Sequence, residues 1–278
     1  MNQLPDPASL VRATGLASGS HLQRVLVSEL ARVAKLASIP SPTRSRAAAS
    51  HPFETALRRD AANRGGAVIA EYKQASPSLG PFAMGTPLLP QLRAYLEGGA
   101  SAFSILAEPV YFRGSADHLM AAETLGAPRL YKGFVISEGQ LAEAEASGAE
   151  AVLLIARVLK DHTAAFAQAA RDRNLEPLVE LHDLTEVGFA QAAEARLVGI
   201  NARDLSTFTL GEPTAAPLRR AFPEAVLIRE SGLATPEGAR SALRAGFDAV
   251  LIGEALMRSP DPRGFVARTL SNLKPETV

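Results

Sequence analysis

Eight short apolar runs alternate with amphipathic stretches over residues 66–278, which predicts a parallel (β/α)8 barrel, the TIM barrel, preceded by a helical extension over 1–65. The runs at 67–72, 102–106, 129–134, 151–155, 177–181, 197–201, 225–229 and 249–253 are apolar throughout rather than alternating. Parallel strands covered on both faces have that pattern. The stretches between them carry helix start and stop signals. No Gly-x-Gly-x-x-Gly or Gly-x-x-x-x-Gly-Lys-[Ser/Thr] loop follows any run, which weighs against the rival, an open doubly wound sheet.

Taken in order, 21–36 reads as an amphipathic helix, with Leu22, Val25, Leu26, Leu30, Val33 and Leu36 near helical spacing. Residues 1–18 are expected to be disordered, and 39–52 reads as a loop rich in Pro, Ser, Ala and Arg. A second short helix is expected over 52–63. Such an extension can plug the barrel bottom or cover its top, and the pattern does not choose. After the first strand, Thr86-Pro87 reads as an N-cap followed by a first-turn proline, and Gly98-Gly99 closes that helix. Ser137 caps a helix that ends near Ser147-Gly148. Asp183 with Glu186 three residues on forms a capping box. Thr235-Pro236 starts another helix and Gly246 stops it.

Composition narrows the function classes. Formal net charge is zero, which gives no electrostatic case for nucleic acid or an anionic membrane. There is no cysteine, so disulfides and thiolate metal sites are excluded. The five histidines show no metal-ligand spacing. The N-terminus has no basic start of the signal-peptide kind, and the apolar runs are far too short to span a membrane. A soluble cytoplasmic protein is expected.

In a barrel, catalytic groups sit at the carboxyl ends of the strands. The first run ends in Glu71-Tyr72-Lys73, which puts a carboxylate and an ammonium on one face before a Ser-Pro-Ser-x-Gly turn. Burying two charges is costly unless they pair or meet a charged ligand. Further along, Lys132 and Phe134 share a face, as do Glu180 and His182, and Asn201 and Arg203. The last two strands end in Glu230-Ser231-Gly232 and Gly253-Glu254. Each has a dull explanation: a lone lysine is usually a solvated rim residue, and His182 a packing histidine. Six strands delivering polar groups to one end is harder to dismiss. Mixed cations and carboxylates suit a site that binds an anion and moves protons. Glycines after the seventh and eighth strands offer backbone N–H groups to a phosphate.

The residues then resemble a family. Glu71-Tyr72-Lys73-Gln74-Ala75-Ser76-Pro77-Ser78, Tyr111-Phe112-Arg113-Gly114-Ser115, Lys132-Gly133-Phe134 and Leu153-Leu154-Ile155 are similar to segments of indole-3-glycerol phosphate synthases. Val179-Glu180-Leu181-His182, Gly199-Ile200-Asn201-Ala202-Arg203-Asp204-Leu205 and Glu230-Ser231-Gly232 complete the set in the family's order. The resemblance implies closure of a pyrrole ring on a carboxyphenylamino-deoxyribulose phosphate, with loss of carbon dioxide and water and no cofactor. It implies Lys132 as general acid and Glu180 as general base, with Lys73 on the anthranilate carboxylate or sharing the proton work. Glu71 is implied to orient hydroxyls and cations. Ser76, Asn201, Arg203 and Glu230 are implied to hold substrate, Phe112, Phe134 and Leu153 to wall the aromatic ring, and Ser231, Gly232, Gly253 and Glu254 to hold phosphate.

An acid working near neutral pH needs a lowered lysine pKa, and repulsion between Lys73 and Lys132 is the expected cause. The chain departs from the family's usual residues at Gly133 (Asp), Ala107 (Thr) and Ala202 (Asn). Gly133 removes a charge beside the acid and adds backbone freedom, which keeps a non-catalytic or substrate-shifted paralogue as the alternative. The isomerase of the preceding pathway step is a poorer match, because its catalytic cysteine is impossible here. The loop 77–85 is expected to act as a lid.

Overall fold

The computed structural model describes residues 4–36, 51–203 and 210–273. Eight parallel strands close into a barrel: β1 (Ala67–Tyr72), β2 (Ala102–Leu106), β3 (Arg129–Lys132), β4 (Ala151–Ile155), β5 (Glu176–Leu181), β6 (Leu197–Asn201), β7 (Val226–Glu230) and β8 (Ala249–Ile252). Each pairs with its chain neighbour, and β1 also pairs with β8 through Ala67↔Ala249 to Ala70↔Ile252. Nearly every strand residue is buried, because aliphatic side chains fill the barrel on one face and meet the helices on the other.

Three helices precede the barrel: α1 (Pro7–Ala13), α2 (His21–Leu36) and α3 (Pro52–Arg64). Those that follow are α4 (Leu88–Glu97), α5 (Ala116–Ala122), α6 (Glu138–Ala146), α7 (Ala156–Leu159), α8 (Thr163–Asp172) and α9 (Val187–Ala192). The set ends with α10 (Ala215–Ala221), α11 (Pro236–Arg244), α12 (Glu254–Arg258) and α13 (Pro262–Leu270).

The extension does both things that the sequence left open. α3 lies at the amino ends of the strands, where Glu176 at the start of β5 accepts from Phe53 N and Glu54 N at 2.8 Å each. Those are two of the donors a helix N-terminus leaves unsatisfied. α2 lies at the opposite end: Arg32 bonds Tyr131 Oη at 3.1 Å and Glu143 at 2.7 Å. Gln140, at the start of α6, ties Glu29 of α2 to the Phe134 carbonyl.

Several local expectations change. Part of 1–18 is ordered: α1 is capped by Asp6, which accepts from Ser9 N at 2.8 Å, and it buries Leu10. Lys160 then holds its end, donating to Ala13 O at 2.7 Å. Thr86 is not a cap, since Pro87 stands at that position and Thr86 O accepts from the Tyr72 hydroxyl. Asp183 caps through Thr185 N, but Glu186 reaches His182 N rather than Asp183 N, so half of the capping box is displaced by one residue. β3 stops at Lys132, leaving Phe134 in the following loop, whereas β7 runs on to include Glu230. The stretch after β1 holds a small antiparallel pair, Ala75–Ser76 with Gly80–Pro81, that the pattern did not reveal. The expected loop at 39–52 lies largely outside the described residues, as do Asp204 and Leu205.

Candidate active site

The carboxyl ends of the strands surround a cavity of about 630 Å3. All the side chains singled out from the sequence for catalysis or binding line it. Glu71, Lys73 and Ser76 enter from β1 and its loop, Phe112 from the loop after β2, and Lys132 and Phe134 from β3 and its loop. Leu153 enters from β4, Glu180 from β5, Asn201 and Arg203 from β6. Glu230, Ser231 and Gly232 follow β7, and Gly253 and Glu254 follow β8.

Four of these charges, Glu71, Lys132, Glu180 and Glu230, come from β1, β3, β5 and β7. Alternate strands contribute the four side chains of one layer in a barrel interior. Such layers are normally aliphatic; this one is charged. The strands between make room with glycine. A Cβ on Gly199 of β6 would collide with the Glu230 carboxylate, and one on Gly253 after β8 would collide with that of Glu71. Gly253 therefore has a packing reason independent of any ligand.

Lys132 sits at the centre. Its Nζ lies 2.5 Å from Glu230 Oε2 and 3.3 Å from Glu180 Oε2. Lys73 pairs with Glu71 instead, at 2.9 Å. The expected repulsion between the two lysines is thus replaced by attraction to carboxylates, and the expected lowering of the Lys132 pKa is overturned. Burial works against its charge, but Glu230, Glu180 and Glu71 outweigh burial and raise the value. Lys132 remains an ammonium across the working range.

The two carboxylates around it part ways. Burial pushes Glu230 up to about 8, with Lys132 opposing and Glu180 adding to the rise. Glu180 is lowered, because Lys132 and His182 overcome the burial that would raise it. One buried ammonium between two carboxylates favours one proton shared by the pair. Glu230 Oε1 is buried with no hydrogen-bond partner among the described residues, which fits the protonated partner being Glu230.

The apolar side of the cavity is built by Phe112 against Phe134, ring centroids 5.7 Å apart, with Leu153 and Ile155 beside them. Glu108 fixes Phe112: its carboxylate accepts from the N–H groups of Val110, Tyr111 and Phe112 at 2.7–2.9 Å. Opposite, Ser231 and Gly232 both have positive φ, at 62° and 73°. Left-handed backbone at a non-glycine residue is uncommon and clusters at ligand-binding turns.

Sequence reasoning missed the contribution of α2, whose His21, Leu22 and Val25 line the cavity. Their helical spacing was legible, but nothing local indicated the end of the barrel they cover. Arg258 of α12 was also missed; it lines the cavity with its guanidinium 5.2 Å from the Phe82 ring in the loop after β1.

A sequence model of the family described as indole-3-glycerol phosphate synthase matches residues 22–269, from the second helix to the last. The chain belongs to the indole-3-glycerol phosphate synthase family. A synthase of that name from Lactiplantibacillus plantarum is 39% identical over 88% of this chain and 92% of its own. Indole-3-glycerol phosphate synthase 2 of Streptomyces coelicolor is 42% identical over 84% of this chain and 87% of its own. Among solved structures, 3-hexulose-6-phosphate synthase superposes with a TM-score of 0.57, over 73% of this chain and 98% of that one. At 15% identity that likeness is one of fold. Synthases of this family are lyases that release carbon dioxide, and no helix among the described residues is long and apolar enough to cross a membrane.

Proposed function

We propose that the cavity converts 1-(2-carboxyphenylamino)-1-deoxyribulose 5-phosphate to indole-3-glycerol phosphate with the roles that follow. The observation that carries them is Lys132, held as an ammonium inside the barrel between Glu180 and Glu230. Ring closure joins the aromatic carbon bearing the carboxylate to the ketone carbon, and the ketone oxygen becomes an alkoxide. An alkoxide is more basic than any lysine, so a charged Lys132 protonates it despite its raised pKa. Carbon dioxide then leaves, and its bonding pair restores the aromatic ring. In the final step Glu180 takes the proton from the ring carbon, the new hydroxyl leaves as water with a proton from the Lys73 ammonium, Glu180 hands its proton back to Lys73, and solvent restores the proton that Lys132 gave up. Glu230 holds the proton that Glu180 lacks and keeps Lys132 in register.

Lys73 meets the substrate carboxylate or shares the proton work, and Glu71 orients it together with the ribulose hydroxyls. Asn201, Arg203 and Ser76 position the chain, with Asn201 Oδ1 accepting from Arg203 N at 3.0 Å. Phe112, Phe134 and Leu153 wall the aromatic ring. Backbone amides at Ser231, Gly232, Gly253 and Glu254 take the phosphate. No step requires a metal or organic cofactor, the partner is a small phosphosugar rather than nucleic acid or membrane, and the working compartment is the cytoplasm. The chain acts as a single barrel unit with 1–65 as its extension.

Gly133 gives little support to a non-catalytic paralogue. A Cβ there would lie 2.9 Å from the buried Tyr131 ring, so the glycine has a packing reason of its own.

The deciding experiment is indole-type fluorescence on mixing the protein with the carboxyphenylamino-deoxyribulose phosphate. The chain has no tryptophan, so its own background is low. Emission rising with time is expected. A flat trace with substrate bound would sink the catalytic reading.

A further inference from the structure

One buried histidine is unused by this chemistry. The His182 side chain, immediately after β5, is 1% exposed, and neither ring nitrogen has a hydrogen-bond partner among the described residues. Two carboxylates flank it. Glu180 Oε1 lies 3.5 Å from Nε2, and Glu186 Oε2 lies 3.7 Å from Nδ1. The groups beyond complete a line of alternating charge. On the cavity side, Lys132 of β3 and Glu230 of β7 meet Glu180 and each other. On the outer side, Arg157 of α7 binds Glu186 at 2.7 Å and Asp183 at 2.9 Å. Glu186 is itself fixed by the backbone, accepting from His182 N at 2.9 Å.

A neutral imidazole has one donor nitrogen and one acceptor. In this slot its acceptor would face a carboxylate, two lone pairs opposed in a site closed to water. An imidazolium has two donors and matches both neighbours. At 3.5 and 3.7 Å the contacts lie within ion-pair distance, which charge on the ring satisfies without a formal hydrogen bond.

We propose that His182 is a positioning residue for the reaction: as an imidazolium wedged between Glu180 and the Glu186–Arg157 pair, it holds the Glu180 carboxylate ionised and aimed into the cavity. This rests on the reading of Glu180 as the base. The histidine touches no reacting atom. It acts by keeping the shared proton of the Glu180–Glu230 pair on Glu230, and that leaves Glu180 free to accept one from substrate. Burial alone would raise Glu180, and His182 is, after Lys132, the second charge that prevents it.

His182→Gln keeps a donor but loses the charge. The expected result is a kcat lower by roughly 10-fold, a KM within about 2-fold, and an acidic limb of the kcat–pH profile displaced upward by about one unit. An unmoved limb overturns the inference. Ring-nitrogen NMR on the wild-type enzyme keeps the test open even if the variant does not fold. Both His182 nitrogens protonated at pH 7 is expected, and a neutral tautomer there overturns the proposal. Glu180→Gln separates the two levels. Full turnover in that variant overturns the base reading and the inference with it. Lost turnover there, beside an unmoved limb in His182→Gln, overturns the inference alone.

Discussion

The two ends of the barrel bury the same kinds of charge and use them differently. At the amino ends, carboxylates meet arginines in closed networks. Arg129 at the start of β3 donates to Glu150 twice, to Leu119 O and to Gly148 O, while Glu150 also accepts from Arg129 N. Glu54 is held by Arg58 and Arg196, and Asp60 by Arg59 and Arg64. Inside the cavity at the carboxyl ends the partners are lysines, and among the described residues Glu230 Oε1 and both nitrogens of His182 have no hydrogen-bond partner. Arginine presents a fixed fork of donors and never gives up its proton, whereas lysine is a point charge that can. One end holds its carboxylates with cations that never deprotonate; the other holds them with cations that can pass a proton to a ligand.

Exchanging the two outcomes would break that comparison. Lys132→Met should lower kcat by about 10²-fold or more with the melting temperature little changed, because the Glu180–Glu230 pair, which already holds one proton, can take up a second on Glu180 when the ammonium goes. Turnover near wild type in stopped assays would remove Lys132 from the chemistry. Arg129→Met should do the opposite. It takes the guanidinium from beside the buried Glu150 carboxylate, at a cost of about 3–5 kcal/mol in denaturant unfolding, while kcat per folded molecule is unchanged.

Glu176 sharpens the comparison through pH. Burial raises it to about 7 even though Phe53 N and Glu54 N oppose the rise. Its folded value lies above the ordinary 4.5, so the native chain keeps a proton that the unfolded chain loses between them. Its stabilising contribution is full below about pH 4.5 and falls as pH climbs to about 7. Melting temperature followed against pH should lose this slope in Glu176→Gln, while the kcat–pH profile stays as it was. A slope that persists would assign it to another group.

The smallest effect is expected at Gly133→Asp, about 1–3 kcal/mol of stability, because the buried Tyr131 ring must shift to admit a Cβ. A gain in kcat without loss of stability would show that Gly133 is a functional departure rather than a packing one.

Much of this site was legible in the residues because a strand gives side chains a fixed two-residue period. Glu180 and His182 had to share a face, and so did Glu71 and Lys73. What the period does not supply is the neighbour. Lys73 and Lys132 looked like mutual repellers at one rim, yet each meets a carboxylate instead. Phe134 was placed on a strand but lies in the loop after it, because β3 ends at Lys132.

The sequence by itself determined the barrel, since continuous apolar runs of strand length alternating with capped amphipathic stretches have few other ways to bury their surface. It also determined which residue types stand at the strand ends. Only the tertiary structure decided which charges face each other, that Gly199 and Gly253 make space for Glu230 and Glu71, and that α2 covers the mouth while α3 closes the base. The reason is physical. Period and propensity act within a few residues along the chain, whereas a pKa, a collision or a lid depends on groups brought together from strands tens of residues apart.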